Sequence, residues 1–113
     1  MDIFNKDDYK ISVVIPNFNG ARFLDNAVSS ALNQTYKPHE IIVIDDFSPE
    51  KELSDYLVML AKDGVIDLIR NPQNKGFVAS VNLGMTAAGS NDVVLLNSDT
   101  EVPQGWLQRL EKQ

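Results

Sequence analysis

Apolar residues along the chain fall into two alternating patterns. Four short runs are nearly continuous in hydrophobicity: ISVVIP (residues 11–16), EIIVID (40–45), VIDLIR (65–70) and DVVLLN (92–97). Runs of this length, rich in Val and Ile, predict strands covered on both faces. VIDLIR is the least apolar and predicts an edge strand. Between the runs, apolar positions recur at i, i+3, i+4 and i+7, the spacing of an amphipathic helix. Leu24, Ala27, Val28, Ala31 and Leu32 form one such face, and Leu53, Tyr56, Leu57, Leu60 and Ala61 a second. A third runs through Phe77 or Val78, then Val81, Met85 and Ala88, and a short helix after Pro103 carries Trp106, Leu107 and Leu110. Ser48 or Pro49 is placed to open the second helix, Gly64 to close it and Gly89 to close the third.

The order β-α-β-α-β-α-β-α specifies an α/β fold, a mainly parallel sheet with right-handed crossovers and helices on both faces. No repeat or low-complexity linker divides residues 11–113, which read as one domain behind a polar arm at residues 1–10. The closing LEKQ breaks off in or just after an apolar helix. A domain truncated at its carboxyl terminus is therefore expected, with the uncovered face of that helix supporting a homo-oligomer.

Charge and composition narrow the partners. The net charge is −6 over 113 residues, and nucleic-acid binding needs clustered Lys and Arg instead. The chain has no cysteine, which excludes disulfides and thiolate metal sites. No run approaches the roughly 20 apolar residues of a membrane span, and MDIFNKDDYK has no apolar signal core. A cytoplasmic location is expected, at most at the inner face of the membrane, with membrane association only through regions outside this chain.

In an open parallel sheet, ligands bind beyond the carboxyl ends of the strands. The strands here are followed by PNFNG (16–20), DDFSPE (45–50), NPQNKG (71–76) and NSDTE (97–101). Asn, Asp, Ser and Pro are also ordinary turn and cap residues, and Ser48 reads as a helix cap. The carboxylates are harder to absorb. Asp45 and Asp46 are adjacent, and Asp99 and Glu101 follow directly on an apolar strand. Like charges so placed repel unless a ligand or cation answers them, and a hard divalent cation with oxygen ligands is the simplest answer. A dinucleotide site would need G-x-G-x-x-G and a P-loop a Gly-rich stretch ending in Lys and Ser or Thr. The turn PNFNGA has one glycine, and neither string occurs. His39, the only histidine, precedes the second strand and so lies at the opposite edge.

These segments resemble the amino-terminal half of a family 2 glycosyltransferase, an inverting enzyme of the GT-A fold, over residues 11–110. ISVVIPNFNG is similar to the family's opening strand, with its V-x-I-P-x-[aromatic]-N signature. LNQTYKPHEIIVIDDFS resembles the next helix end and strand, with the Q-T-Y and I-D-D-x-S elements. NKGFVASVNLGMTAAGSNDVVLLNSDTEVPQGWL resembles the third helix and the strand that delivers the metal motif.

The resemblance implies a Rossmann-like half of a GT-A fold that binds a nucleotide-diphosphate sugar. Asn97-Ser98-Asp99 stands where the family has Asp-x-Asp, in the N-S-D-T form of rhamnosyltransferase-like members. Asp99 matches the final Asp and is the implied ligand of Mn²⁺ or Mg²⁺. Pro16, Asn17 and Phe18 are implied to line the nucleoside pocket, and Asp46 to accept hydrogen bonds from base or ribose. Asn74 and Gly76 are implied to lie near the nucleotide, with Asn97 and Ser98 completing the nucleotide-sugar site. Glu101 receives no role. The implied reaction is inverting transfer to a glycan or lipid-linked acceptor in cell-surface polysaccharide synthesis. Its base belongs to the family's carboxyl-terminal half, so no catalytic residue is expected in this chain. Two other readings stand beside this one. A receiver-like Mg²⁺-binding signalling domain would need an Asp ending the third strand, where Arg70-Asn71 stands. A non-catalytic nucleotide-sugar-binding module would need only the donor site.

Overall fold

The structure, a computed structural model, describes residues 10–34 and 37–111. The arm expected at residues 1–10 lies outside the described residues apart from Lys10. The element order is β1 (Ile11–Asn17), α1 (Ala21–Leu32), β2 (Glu40–Asp45), α2 (Lys51–Lys62), β3 (Asp67–Arg70), α3 (Phe77–Ala88), β4 (Asp92–Leu95) and α4 (Trp106–Glu111). All pairings are parallel and the strand order is β3-β2-β1-β4. This is the α/β architecture that the hydrophobic pattern specifies.

Successive strand positions face opposite sides of a sheet, and the core divides accordingly. Ile11, Val13 and Ile15 of β1 pack with Ile41 and Val43 of β2 against Leu24, Ala27, Val28, Ala31, Leu53 and Leu57 of α1 and α2. Val14, Ile42 and Ile44 turn the other way and meet Ala88 of α3. β3 is an edge strand, as its weak apolarity predicts. β4 is the opposite edge, and Leu95 is 44% exposed there, so the fourth run is not covered on both faces.

Three local expectations give way. The apolar face read for α3 is rotated: Phe77, Val78 and Met85 are exposed, while Ser80, Gly84 and Ala88 are buried. The cause is close approach. A Cβ on Gly84 would stand 2.4 Å from Val14 Cγ1 and 2.8 Å from Ile44 Cδ1, so small residues, not large ones, let the helix lie on the sheet. Ser48 does not cap α2, whose N-cap is Glu50. Its Oγ accepts the Asn19 N–H at 2.7 Å instead, bracing one loop against another. Finally, Leu107 is fully buried and Trp106 packs on the main core, so these two residues do not form the uncovered face expected of α4. The physical motive for a homo-oligomer on them falls away.

Candidate functional site

The carboxyl edge of the sheet gathers the loops after β1, β2, β3 and β4. β1 ends in Asn17, and the chain then turns through Asn19 and Gly20, at φ of 59° and 72°, before α1 begins. Asn tolerates this left-handed region and Gly adopts it without cost. Phe47 is held there too, at φ 62°, between Asp46 and the bracing Ser48.

The two adjacent carboxylates have separate partners. Asp45 is buried, with Arg70 Nη2 3.7 Å away and the Ser48 N–H donating to its Oδ2 at 3.3 Å. Asp46 is also buried. Its Oδ1 accepts from Asn71 Nδ2 at 2.8 Å and from the Lys75 N–H at 2.7 Å, and its Oδ2 from the Gly76 N–H at 2.9 Å. Burial works against ionisation of Asp46. The hydrogen bonds from Lys75, Asn71 and Gly76, with the Lys75 charge, outweigh it and hold the carboxyl below its usual range. Asp46 is thus answered inside the protein, whereas Asp45 is answered at Oδ2 alone and its Oδ1 is buried without a partner. Asn74 joins the same arrangement, its Nδ2 donating to the Asp46 carbonyl at 3.4 Å. Asn74 and Gly76 therefore build the wall behind Asp46.

Two adjoining cavities open at this edge. One, of about 110 Å³, is lined by Pro16, Asn17, Phe18, Asp46, Phe77 and Ser80. The other, of about 450 Å³, shares Pro16, Phe18 and Phe77 and adds Asn97, Ser98 and Asp99. Of the residues singled out by sequence, the cleft collects Pro16, Asn17, Phe18, Asp46, Asn97, Ser98 and Asp99. Asn74 and Gly76 line neither cavity. Asn17 is 4% exposed, and neither its amide nitrogen nor its amide oxygen has a partner. Such groups are costly to bury unpaired.

Asp99 is exposed and receives one hydrogen bond, from Thr100 Oγ1 at 3.4 Å. Among the described residues no group of three or more His, Cys, Asp or Glu converges. The donors at hand are a carboxylate, an amide oxygen and a hydroxyl from Asp99, Asn97 and Ser98. That all-oxygen set suits a hard cation whose remaining ligands are water and phosphate, the usual manner of Mg²⁺.

Sequence reasoning missed Phe77, Ser80 and Asn71. Phe77 fits a helical apolar spacing and so looks like core, yet it is 58% exposed and faces both cavities. The signal available was topological: it is the first residue of the helix that follows β3, and so lies at the carboxyl edge.

Comparison with known proteins agrees with this fold. The family profile described as Glycosyl transferase family 2 matches residues 12–113. An uncharacterized glycosyltransferase of Haemophilus influenzae is 31% identical over 100 residues, 88% of this chain and 31% of that protein. The UDP-Glc:alpha-D-GlcNAc-diphosphoundecaprenol beta-1,3-glucosyltransferase WfgD of Escherichia coli is 31% identical over 82% of this chain and 36% of its own length. The cholesterol galactosyltransferase of Borreliella burgdorferi is 36% identical over 96% of this chain and 30% of its own. The chain thus spans about a third of the length of the curated relatives it matches. Among solved structures, S. aureus TarS 1-349 in complex with UDP-GlcNAc superposes with a TM-score of 0.78 at 20% identity, over 91% of this chain and 30% of that one. GalNAc-T7 with UDP, GalNAc and Mn²⁺ gives 0.76 at 26% identity, over 91% and 20%.

Proposed function

The chain belongs to glycosyl transferase family 2, and on that premise we propose that it forms the donor-binding part of an enzyme that transfers a sugar from a nucleotide-diphosphate sugar to a glycan or lipid-linked acceptor. Membership of this family removes the receiver-like alternative. The observation that carries the proposal is the cleft: two cavities that share Pro16, Phe18 and Phe77, with Asp46 and Asn17 at one end and Asn97, Ser98 and Asp99 at the other.

Each end suits one part of the donor. Phe18 and Phe77 are exposed aromatic faces, and a flat base stacked on them would remove apolar surface from water. The unpartnered Asn17 amide offers a donor and an acceptor to a base or ribose. Asp46, held ionised, offers the remaining acceptor capacity of Oδ2. Asp99 would hold Mn²⁺ or Mg²⁺, with Asn97 and Ser98 beside it. A divalent cation held there would offset negative charge on the leaving diphosphate. On this reading the carboxylate that deprotonates the acceptor hydroxyl comes from the rest of the enzyme, and the chain by itself would act as a nucleotide-sugar-binding module. A relative named for a diphosphoundecaprenol-linked acceptor supports the lipid-linked acceptor; we extend the reading to cell-surface polysaccharide synthesis on the cytoplasmic side of the membrane.

The test is calorimetric titration with UDP and dTDP, with and without Mn²⁺. Binding strengthened by Mn²⁺ and lost in Asp99→Ala, at an unchanged melting temperature, is expected. Binding of neither nucleotide would overturn the proposal.

A further inference from the structure

Among the described residues, hydrogen bonds tie the segment carrying Asn97, Ser98 and Asp99 to the rest of the fold at its two ends. At the near end the Leu96 N–H donates to the Val14 carbonyl at 2.9 Å. At the far end the Val102 N–H donates to Ser30 Oγ at 3.1 Å. From residue 97 to 101, hydrogen bonds among the described residues stay inside the segment. The Thr100 N–H donates to the Asn97 carbonyl at 3.1 Å, and Thr100 Oγ1 to Asp99 Oδ1 at 3.4 Å. Where Asp99 stands therefore depends on how firmly the far end is held.

Gln34 holds it. This side chain is 1% exposed, and both ends of its amide are engaged. Nε2 donates to the Pro103 carbonyl at 2.8 Å and to the Ser30 carbonyl at 3.2 Å, while Oε1 accepts the Leu107 N–H at 3.4 Å. One buried amide thus joins the last turn of α1, the segment leaving Asp99 and the start of α4. Beside it, the Gln104 side chain donates to the Asn33 carbonyl. Gln34 lines neither cavity of the cleft, so it has no means of touching a ligand there. An apolar side chain in its place would strip a partner from the Pro103 carbonyl and the buried Leu107 N–H, and unpaired backbone groups push such a segment to move.

We propose that Gln34 is a positioning residue for Asp99: by clamping Pro103 and Leu107 to α1, it sets the place of the candidate metal ligand without contacting the ligand or the metal. The proposal rests on the functional reading above.

The test compares Gln34→Met with the unaltered 113-residue chain, and adds Gln34→Glu, which keeps an acceptor for Leu107, should the first variant fold poorly. Mn²⁺ binding in the presence of UDP is read by electron paramagnetic resonance, and metal-free UDP binding by chemical-shift titration. The ¹⁵N order parameters of residues 97–101 are measured without any ligand. Mn²⁺ affinity is expected to fall about tenfold, with metal-free UDP binding unchanged and the order parameters of 97–101 lowered while those of β2 hold. Equal losses with and without metal would make Gln34 merely structural and overturn the proposal. So would unchanged order parameters with unchanged Mn²⁺ affinity. If the unaltered chain binds no UDP under either condition, the functional reading fails and the order parameters alone decide the positioning role.

Discussion

The carboxylate of Asp46 accepts the backbone N–H of Lys75 at 2.7 Å, across 29 residues of sequence. With Asn71 and Gly76 it fastens the loop before α3 to the end of β2. Asp46→Ala is therefore expected to weaken both nucleotide binding and the fold, by about 1.5–3 kcal/mol for lost bonds to a charged group. The folded-state value of Asp46 lies below the ordinary 3.8, so the folded protein holds fewer protons on this group than the unfolded chain. Its contribution is present above that ordinary value and fades as pH falls through the folded one. Urea unfolding of both proteins across the acid range should show the difference shrinking below about pH 4.

The opposite edge carries a carboxyl pair of which one member, Asp67, is shifted in the reverse sense. Glu40 opens β2 and Asp67 opens β3, and a cavity of about 270 Å³ brings them together with Lys37 and His39. Asp67 is exposed, and partial desolvation at the strand end, a hydrogen bond with Glu40 and the Glu40 charge raise it, with His39 acting against them. Glu40 loses by burial but gains more from Ser12, Asp67 and Asn91, and is lowered. A raised carboxyl stabilises the fold while protonated, and that contribution is lost as pH rises through the folded value. Asp67→Asn keeps the neutral form at every pH. It should raise the melting temperature at about pH 7 and leave it nearly unchanged at about pH 4, as scanning calorimetry would show.

Gly84→Ala should destabilise the protein without touching the cleft. The added methyl would meet Val14 and Ile44 at 2.4 and 2.8 Å, and overpacking of this kind costs roughly 1–3 kcal/mol. Chemical denaturation should show a lower midpoint. An unshifted midpoint would mean that α3 is free to lift off the sheet.

Phe47→Asn should do the reverse. Phe47 is 56% exposed and sits at φ 62°, a region that costs an ordinary side chain about 1–2 kcal/mol and that Asn tolerates. A gain of roughly 1 kcal/mol at unchanged denaturant dependence is expected.

The element order, the parallel sheet with its covering helices and the edge at which the cleft opens were all within reach of the sequence, whereas the strand order β3-β2-β1-β4 was not. Val and Ile runs are legible because a buried parallel strand leaves little room for polar residues, and α1 and α2 show their faces because large aliphatic residues fill wide gaps. α3 was misread because its contact is made by absence of side chain: Ser80, Gly84 and Ala88 carry little apolar weight, whereas Phe77 and Met85 carry much and point outward. The partners of Asp45 and Asp46 were equally hidden. Arg70 and the Lys75 and Gly76 backbone lie 25–30 residues away in sequence, and a backbone N–H has no letter of its own.

β1 lies between β2 and β4 in the sheet, and its register with β4 joins Ile11 to Asp92. During synthesis at about 5–20 residues per second, β1 therefore waits roughly 4–16 s for its second neighbour. Through that interval a strand made of Ile and Val presents an open edge, the template on which chains pair with one another. A nascent chain arrested before residue 92 thus lacks the partner that closes its central strand, and it is expected to be held by chaperones or to aggregate rather than to fold in part.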